Sequence, residues 1–168
     1  MITLFKDEEI IFIPDKYLSQ YVAKKTNKKI HLWHGYCPTH LKILPENIVH
    51  LKEQFPDAKV MVHPECREDV VDIADAVLST SGMVKYAKDT AANTFIVGTE
   101  IGLIHRLSKE NPEKKFIPAS ELAICPNMKL INLDKILWAL EELKYKVEVK
   151  EETRLKALQS VKRMIELT

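Results

Sequence analysis

The feature that most constrains this chain is an alternation. Short apolar runs rich in β-formers, at 10–13, 30–33, 59–62, 76–78, 94–97 and 115–117, take turns with stretches of helical period. Each run is too short for a helix and nearly continuous in apolarity. That pattern belongs to strands covered on both faces, as in a parallel sheet. The stretches between them are amphipathic. Residues 15–25 place apolar side chains at 18, 21 and 22. Residues 45–55 open with a proline, which a helix tolerates in its first turn, and carry Ile48, Val49, Leu51 and Phe55 at helical spacing. Shorter helical patterns fall at 68–76, 83–88 and 101–109. Near the end, Ile136, Leu137, Leu140 and Leu143 form one stripe over 133–143, and Leu155, Leu158, Val161 and Ile165 form another over 154–167. A βαβα order predicts an α/β fold of three-layer αβα units with short parallel sheets, followed by C-terminal helices.

The polar clusters share one place in this scheme. His34 to Cys37 follow the run at 30–33, and His63 to Cys66 follow the run at 59–62. Ser79 to Gly82 follow 76–78, and Gly98 to Glu100 follow 94–97. All four therefore fall at the C-terminal ends of strands, the edge where open parallel sheets bind ligands.

Bulk composition narrows the function classes. The 168 residues, 46% of them hydrophobic, suffice for one core or two small ones. Lys plus Arg number 25 against 24 Asp plus Glu, a net charge of +1, without the basic excess of a nucleic-acid binder. No apolar run approaches the ~18 residues of a membrane span, and the N-terminus lacks the pattern of a signal peptide. A cytoplasmic location is the expectation, with neither nucleic acid nor membrane as partner. The cysteines are Cys37, Cys66 and Cys125, an odd number that argues against a disulfide framework and leaves thiols for metal ligation, catalysis or burial.

Cys37 and His40 set a thiol and an imidazole on one turn, ligands suited to zinc or iron. The alternative is a structural cysteine beside a surface histidine, although Gly35 and Pro38 fix an irregular backbone that a simple turn does not need. His63, Pro64 and Glu65 place an acid/base pair on a rigid turn; the plainer reading is a solvated loop whose acid starts a helix. Ser79, Thr80 and Ser81 precede a helix and would either cap it or take an anion there. Glu100 would supply another acid or cap the helix that follows. Cys125 in isolation reads as a buried, inert thiol. His31, His50 and His105 lie in or near regular elements and read as structural.

Taken in order, these segments resemble quinolinate synthase. Gly35, Cys37 and His40 match that family's G-x-C-x-x-H segment, and His63, Pro64 and Glu65 match its HPE segment. The stretches 75–81, 96–105 and 123–129 match three more, and 12–15 with 21–24 fit the region before the first motif. The resemblance covers nearly the whole chain. It implies condensation of iminoaspartate with dihydroxyacetone phosphate to quinolinate, phosphate and water, in NAD biosynthesis. It also implies a [4Fe-4S] cluster held by three cysteines, with Cys37 and Cys125 as metal ligands and Cys66 as a structural residue. His63, Pro64, Glu65 and Thr80 become substrate-binding residues, and Glu65 and His40 become catalytic acid/base groups.

The same resemblance implies a departure. The family has three similar α/β domains around its cluster, and this sequence begins within the middle one. Residues 1–38 would be the remainder of that domain, 39–125 the last domain, and 126–168 a helical segment that packs on the absent first domain. The third cluster cysteine would lie in the absent part. Two thiolates are too few for such a cluster, which leaves three readings: a fragment that starts at an internal methionine, a chain completed by a separate N-terminal polypeptide, or an inactive remnant serving as an interaction module. A zinc-binding module built from Cys37, His40, Cys125 and His63 is the alternative outside the family.

Overall fold

A computed structural model of the chain describes residues 9–167. Strand β1 (Glu9–Phe12), helix α1 (Lys16–Lys24) and strand β2 (Lys29–Leu32) make a βαβ unit, with the two strands paired in parallel. A 3-10 turn over His40–Lys42 leads to α2 (Pro45–Gln54) and then β3 (Lys59–Val62). Next come α3 (Glu68–Asp72), β4 (Ala76–Val77), α4 (Thr80–Asp89), β5 (Thr94–Gly98), α5 (Gly102–Glu110) and β6 (Lys115–Pro118). The four later strands form one parallel sheet in the order β4-β3-β5-β6.

Side chains of period two give this sheet two dry faces. Val60, Val62 and Ile96 face one way and pack with Ile43, Ile48 of α2 and Val70 of α3. Met61, Phe95, Val97 and Phe116 face the other way and pack with Met83 and Ala87 of α4 and Leu107 of α5. Helices thus cover both faces, and the αβα layering expected from the sequence is present. All six predicted strands form.

Three elements differ from expectation, one of them α4, which begins at Thr80, three residues before the predicted 83, and so takes in Thr80 and Ser81. The helix predicted over 68–76 stops at Asp72. Asp75 explains the stop: its carboxylate accepts from the Val60 backbone N–H (2.8 Å) and from Lys59 Nζ (2.9 Å), which ties the chain to the start of β3 and turns residues 76–77 into β4. The last helix, α7, runs Glu151–Glu166 and so begins three residues earlier than its apolar stripe. Glu151 and Glu152 fill its first turn, where negative charge suits the helix dipole.

Residues 9–125 belong to one compact unit, and the described residues from Pro126 onward belong to another. The second contains a 3-10 turn at Asn127–Lys129, helix α6 (Leu133–Glu141) and α7. Asn132 caps α6 by accepting from Lys135 N–H at 3.0 Å. The apolar side chains of this unit are largely exposed, among them Leu133, Trp138, Leu140 and Ile165.

Candidate functional site

The strand order fixes where a site can lie. From β3 the chain moves to β4 on one side, then returns across β3 to β5 and continues to β6 on the other. The order reverses between β3 and β5, so a crevice opens there at the carboxyl ends of the strands. His63, Pro64 and Glu65 leave the end of β3, and Thr99 and Glu100 leave the end of β5. Gly98 lets the two ends close up: a Cβ there would sit 2.7 Å from Val62 Cγ1. Its carbonyl accepts from the His63 N–H (2.9 Å) and from the Cys66 thiol (3.4 Å), which locks the two loops together.

His40 bridges this crevice. It is 7% exposed and belongs to the 3-10 turn that follows Cys37. Its Nε2 meets Thr99 Oγ1 at 3.0 Å, and its Nδ1 lies 3.1 Å from Glu65 Oε2. The second contact lacks hydrogen-bond alignment, so Nδ1 is buried without a hydrogen-bond partner. The His40 ring stacks on His63 with centroids 4.6 Å apart and planes 9° from parallel. His63 Nδ1 accepts the backbone N–H of Glu65 at 3.3 Å. A backbone N–H can only donate, so neutral His63 carries its proton on Nε2.

Burial shapes the protonation states. It pushes His40 down to about 4, with His63 adding to the effect and Glu100 opposing it. Burial also lowers His63, against a pull from Asp15, and raises Glu65, with Asp15 adding to the rise. His40 and Glu65 are therefore not an ion pair at neutral pH, despite their separation.

The cysteines divide. Cys37 Sγ, a His40 ring nitrogen and a Glu65 oxygen all lie within 4.8 Å of one another, the spacing of a metal-binding group. Cys125 follows β6 and is half-buried. Cys66 is fully buried against Gly98, and burial pushes its thiol up to about 12. None of the three is in a disulfide. Thr80 opens α4, just beyond β4, and is exposed; Ser79 caps that helix by accepting from Gly82 N–H at 3.2 Å. The fold thus brings Cys37, His40, His63 and Glu65 together and leaves Thr80 on the same sheet edge one strand away. Pro64 is buried between His63 and Glu65.

Two buried carboxylates hold the cysteine loops. Asp15 accepts the Leu18 N–H at 2.8 Å, which caps α1, and the Cys37 N–H at 3.0 Å. Glu100 accepts the Gly102 N–H at 2.8 Å at the start of α5 and makes a longer contact of 3.4 Å with the Cys125 N–H. Sequence reasoning assigned no site role to Asp15 or Thr99. Asp15 had a signal, an acid between an apolar run and a helical pattern. Thr99 had its position at a strand end.

This fold and site define an α/β protein that gathers metal-ligating and proton-transferring side chains at a sheet switch point. The family model described as quinolinate synthetase A protein matches residues 1–166. The chain is 52% identical over 160 residues to a quinolinate synthase of Dehalococcoides mccartyi, covering 95% of this chain and 53% of that protein. It is 51% identical over 158 residues to quinolinate synthase 1 of Methanosarcina acetivorans, covering 94% and 52%. A quinolinate synthase of Thermodesulfovibrio yellowstonii is 50% identical over 159 residues, covering 94% and 52%. The chain belongs to the quinolinate synthetase A family. It spans about half the length of the curated relatives it matches.

Proposed function

We propose that this chain supplies one part of a quinolinate synthase active site, joined by a further region or a separate N-terminal polypeptide in condensing iminoaspartate with dihydroxyacetone phosphate for NAD biosynthesis. The observation that carries the reading is His40, which spans the switch-point crevice between Glu65 and Thr99 with Cys37 beside it. A crevice of that kind binds a small anionic substrate and supplies proton carriers at once.

The donor set suits a [4Fe-4S] cluster in part. Cys37 and Cys125 are half-buried thiols, each with its backbone N–H turned to a buried carboxylate that also starts a helix. A cluster is wider than a single ion, so its cysteines need not approach one another as closely as the ligands of one metal. A third cysteine from outside this chain completes the set. When bound, the cluster supplies an open iron that acts as a Lewis acid on a substrate oxygen.

The remaining chemistry falls to side chains of this chain. Glu65, its carboxyl raised by burial, moves protons at the substrate carbon during isomerisation and dehydration. His40, neutral at pH 7, accepts a proton at Nδ1 next to Glu65. His63 offers its Nε2–H to a substrate oxygen. Thr80, exposed at the start of α4, holds a carboxylate or phosphate. The whole operates in the cytoplasm.

The test is anaerobic reconstitution of this chain with the N-terminal half of the Dehalococcoides relative. Quinolinate forms from the two substrates with the combined pieces and with neither alone. Glu65→Gln lowers the rate by about 100-fold or more, the scale of a lost general acid/base. An intact cluster in the combined pieces with no quinolinate would sink the reading.

A further inference from the structure

We propose that the uncovered face and outer edge of the β1–β2 pair dock a helix followed by a parallel strand, supplied by a polypeptide N-terminal to this chain. The inference deepens the proposed function and rests on its reading that such a polypeptide joins the site. A comparison of two parts of the chain carries it.

The chain holds the same unit twice. β1, α1 and β2 run strand, helix, parallel strand, and so do β5, α5 and β6. Both helices have 9 residues. In each copy a carboxylate, Asp15 or Glu100, accepts a backbone N–H at the helix start and meets one in the cysteine loop beyond the second strand. The Trp33 N–H donates to the Phe12 carbonyl at 3.1 Å, and the Ala119 N–H donates to the Val97 carbonyl at 2.9 Å. This correspondence sets Ile11 against Ile96 and Trp33 against Ala119.

The copies differ in what covers them. Ile96 is fully buried and packs with Ile48 of α2 and Val70 of α3, and Ala119 belongs to the same core. Ile11 is 79% exposed and Trp33 59%. Ile13, two residues on from Ile11 and on the same face, is exposed as well. The opposite face of the pair has its helix: Ile10 and Phe12 alternate with the exposed residues and are half-buried. Parallel sheets ordinarily have both faces covered, and a two-stranded sheet alone is marginal.

The edges differ in the same way. β5 has β6 on one side and β3 on the other, whereas β1 has only β2 among the described residues. The Phe12 backbone bonds β2, so the alternate residues Ile11 and Ile13 turn theirs to the open edge. On β5 the place equivalent to Ile13 is Gly98, whose carbonyl accepts the His63 N–H at 2.9 Å. A strand added at such an edge gains main-chain hydrogen bonds. In the covered copy α2 and then β3 fill these places, in that chain order. The occupant is therefore a helix–strand segment, apolar where it meets Ile11, Ile13 and Trp33. The other end of the face is polar and already paired, since Glu9 holds Lys29 at 2.7 Å and His31 at 3.1 Å.

The experiment mixes the whole chain, reduced and iron-free, with the N-terminal half of the Dehalococcoides relative. Sedimentation reads association, and NMR hydrogen exchange reads single amides. The two associate, and the Ile11 and Ile13 amides become protected, while the Phe12 amide, already engaged with β2, changes little. Ile11→Asp keeps the circular dichroism of the parent chain, because the side chain is exposed, and weakens association by about tenfold or more. Lys109→Glu, on the exposed surface of α5, leaves association unchanged. The same two amides are protected in a single polypeptide that joins the half ahead of Met1, a result that does not depend on the half folding alone. Unprotected Ile11 and Ile13 amides in the joined chain, an equal loss in Ile11→Asp and Lys109→Glu, or protection that arises by self-association of this chain alone would each overturn the proposal. No iron takes part, so docking here and quinolinate formation fail separately.

Discussion

His40 makes folding stability respond to pH. Its folded-state value of about 4 lies below the ordinary 6.5, so between those limits the unfolded chain binds a proton that the folded chain does not. Its contribution is intact above pH 6.5 and is lost as pH falls toward 4, by up to about 3 kcal/mol. His63 is lowered and acts in the same direction; Glu65 is raised and opposes it. Thermal unfolding between pH 7 and pH 4 should show the midpoint falling, with a shallower fall in His40→Asn. An identical slope in both proteins would contradict this account of the residue.

Asp15 is the other residue whose role is specific. Two backbone donors, one opening α1 and one on Cys37, share its carboxylate. Asp15→Ala removes a helix cap and releases the Cys37 loop, at a cost of about 1–2 kcal/mol measured by denaturant unfolding. Asp15→Asn should keep much of that stability, because its amide oxygen still accepts. Cys37 and His40 were readable in the sequence because a thiol and an imidazole three residues apart carry a chemical signature. Thr99 was not, because it meets His40 across 59 positions and only the fold brings them together.

At the scale of elements, the strands were readable and the helix ends less so. Strands β3 and β5 are buried on both faces, which forces a run of apolar residues that has no other local use, whereas β1 and β2 form despite exposing Ile11 and Leu32. Helix α3 was overextended because its apolar period continues past Asp72; the Asp75 contacts that end it reach back to β3 and leave no mark in local sequence. The clearest test of how the site edge is built is Gly98, at the end of β5. A methyl group there would fall 2.7 Å from Val62 Cγ1 and 3.1 Å from its Cβ. Gly98→Ala should therefore push β5 away from β3 and lower stability by about 1–3 kcal/mol, the usual cost of overpacking. Unchanged stability would mean that the strands do not approach as closely as described.

At the scale of the molecule, the layered unit through Cys125 has two dry faces and a switch point. The described residues from Pro126 onward expose most of their apolar side chains. The βα alternation and the strand-end position of the polar clusters were visible in the sequence, because both follow from residue period. The strand order was not, because period says nothing about which strands become neighbours. That order is what brings the loops after β3 and β5 to one crevice.

The central proposal is that Cys37 and Cys125 are cluster ligands, while Cys66 is buried in the core. The most direct measurement is the iron and sulfide content of the chain after anaerobic reconstitution with the N-terminal half of the Dehalococcoides relative, for each cysteine replaced singly. The account predicts that Cys37→Ser and Cys125→Ser each lose the cluster and that Cys66→Ala retains it. A cluster that survives Cys125→Ser but is lost with Cys66→Ala would contradict it.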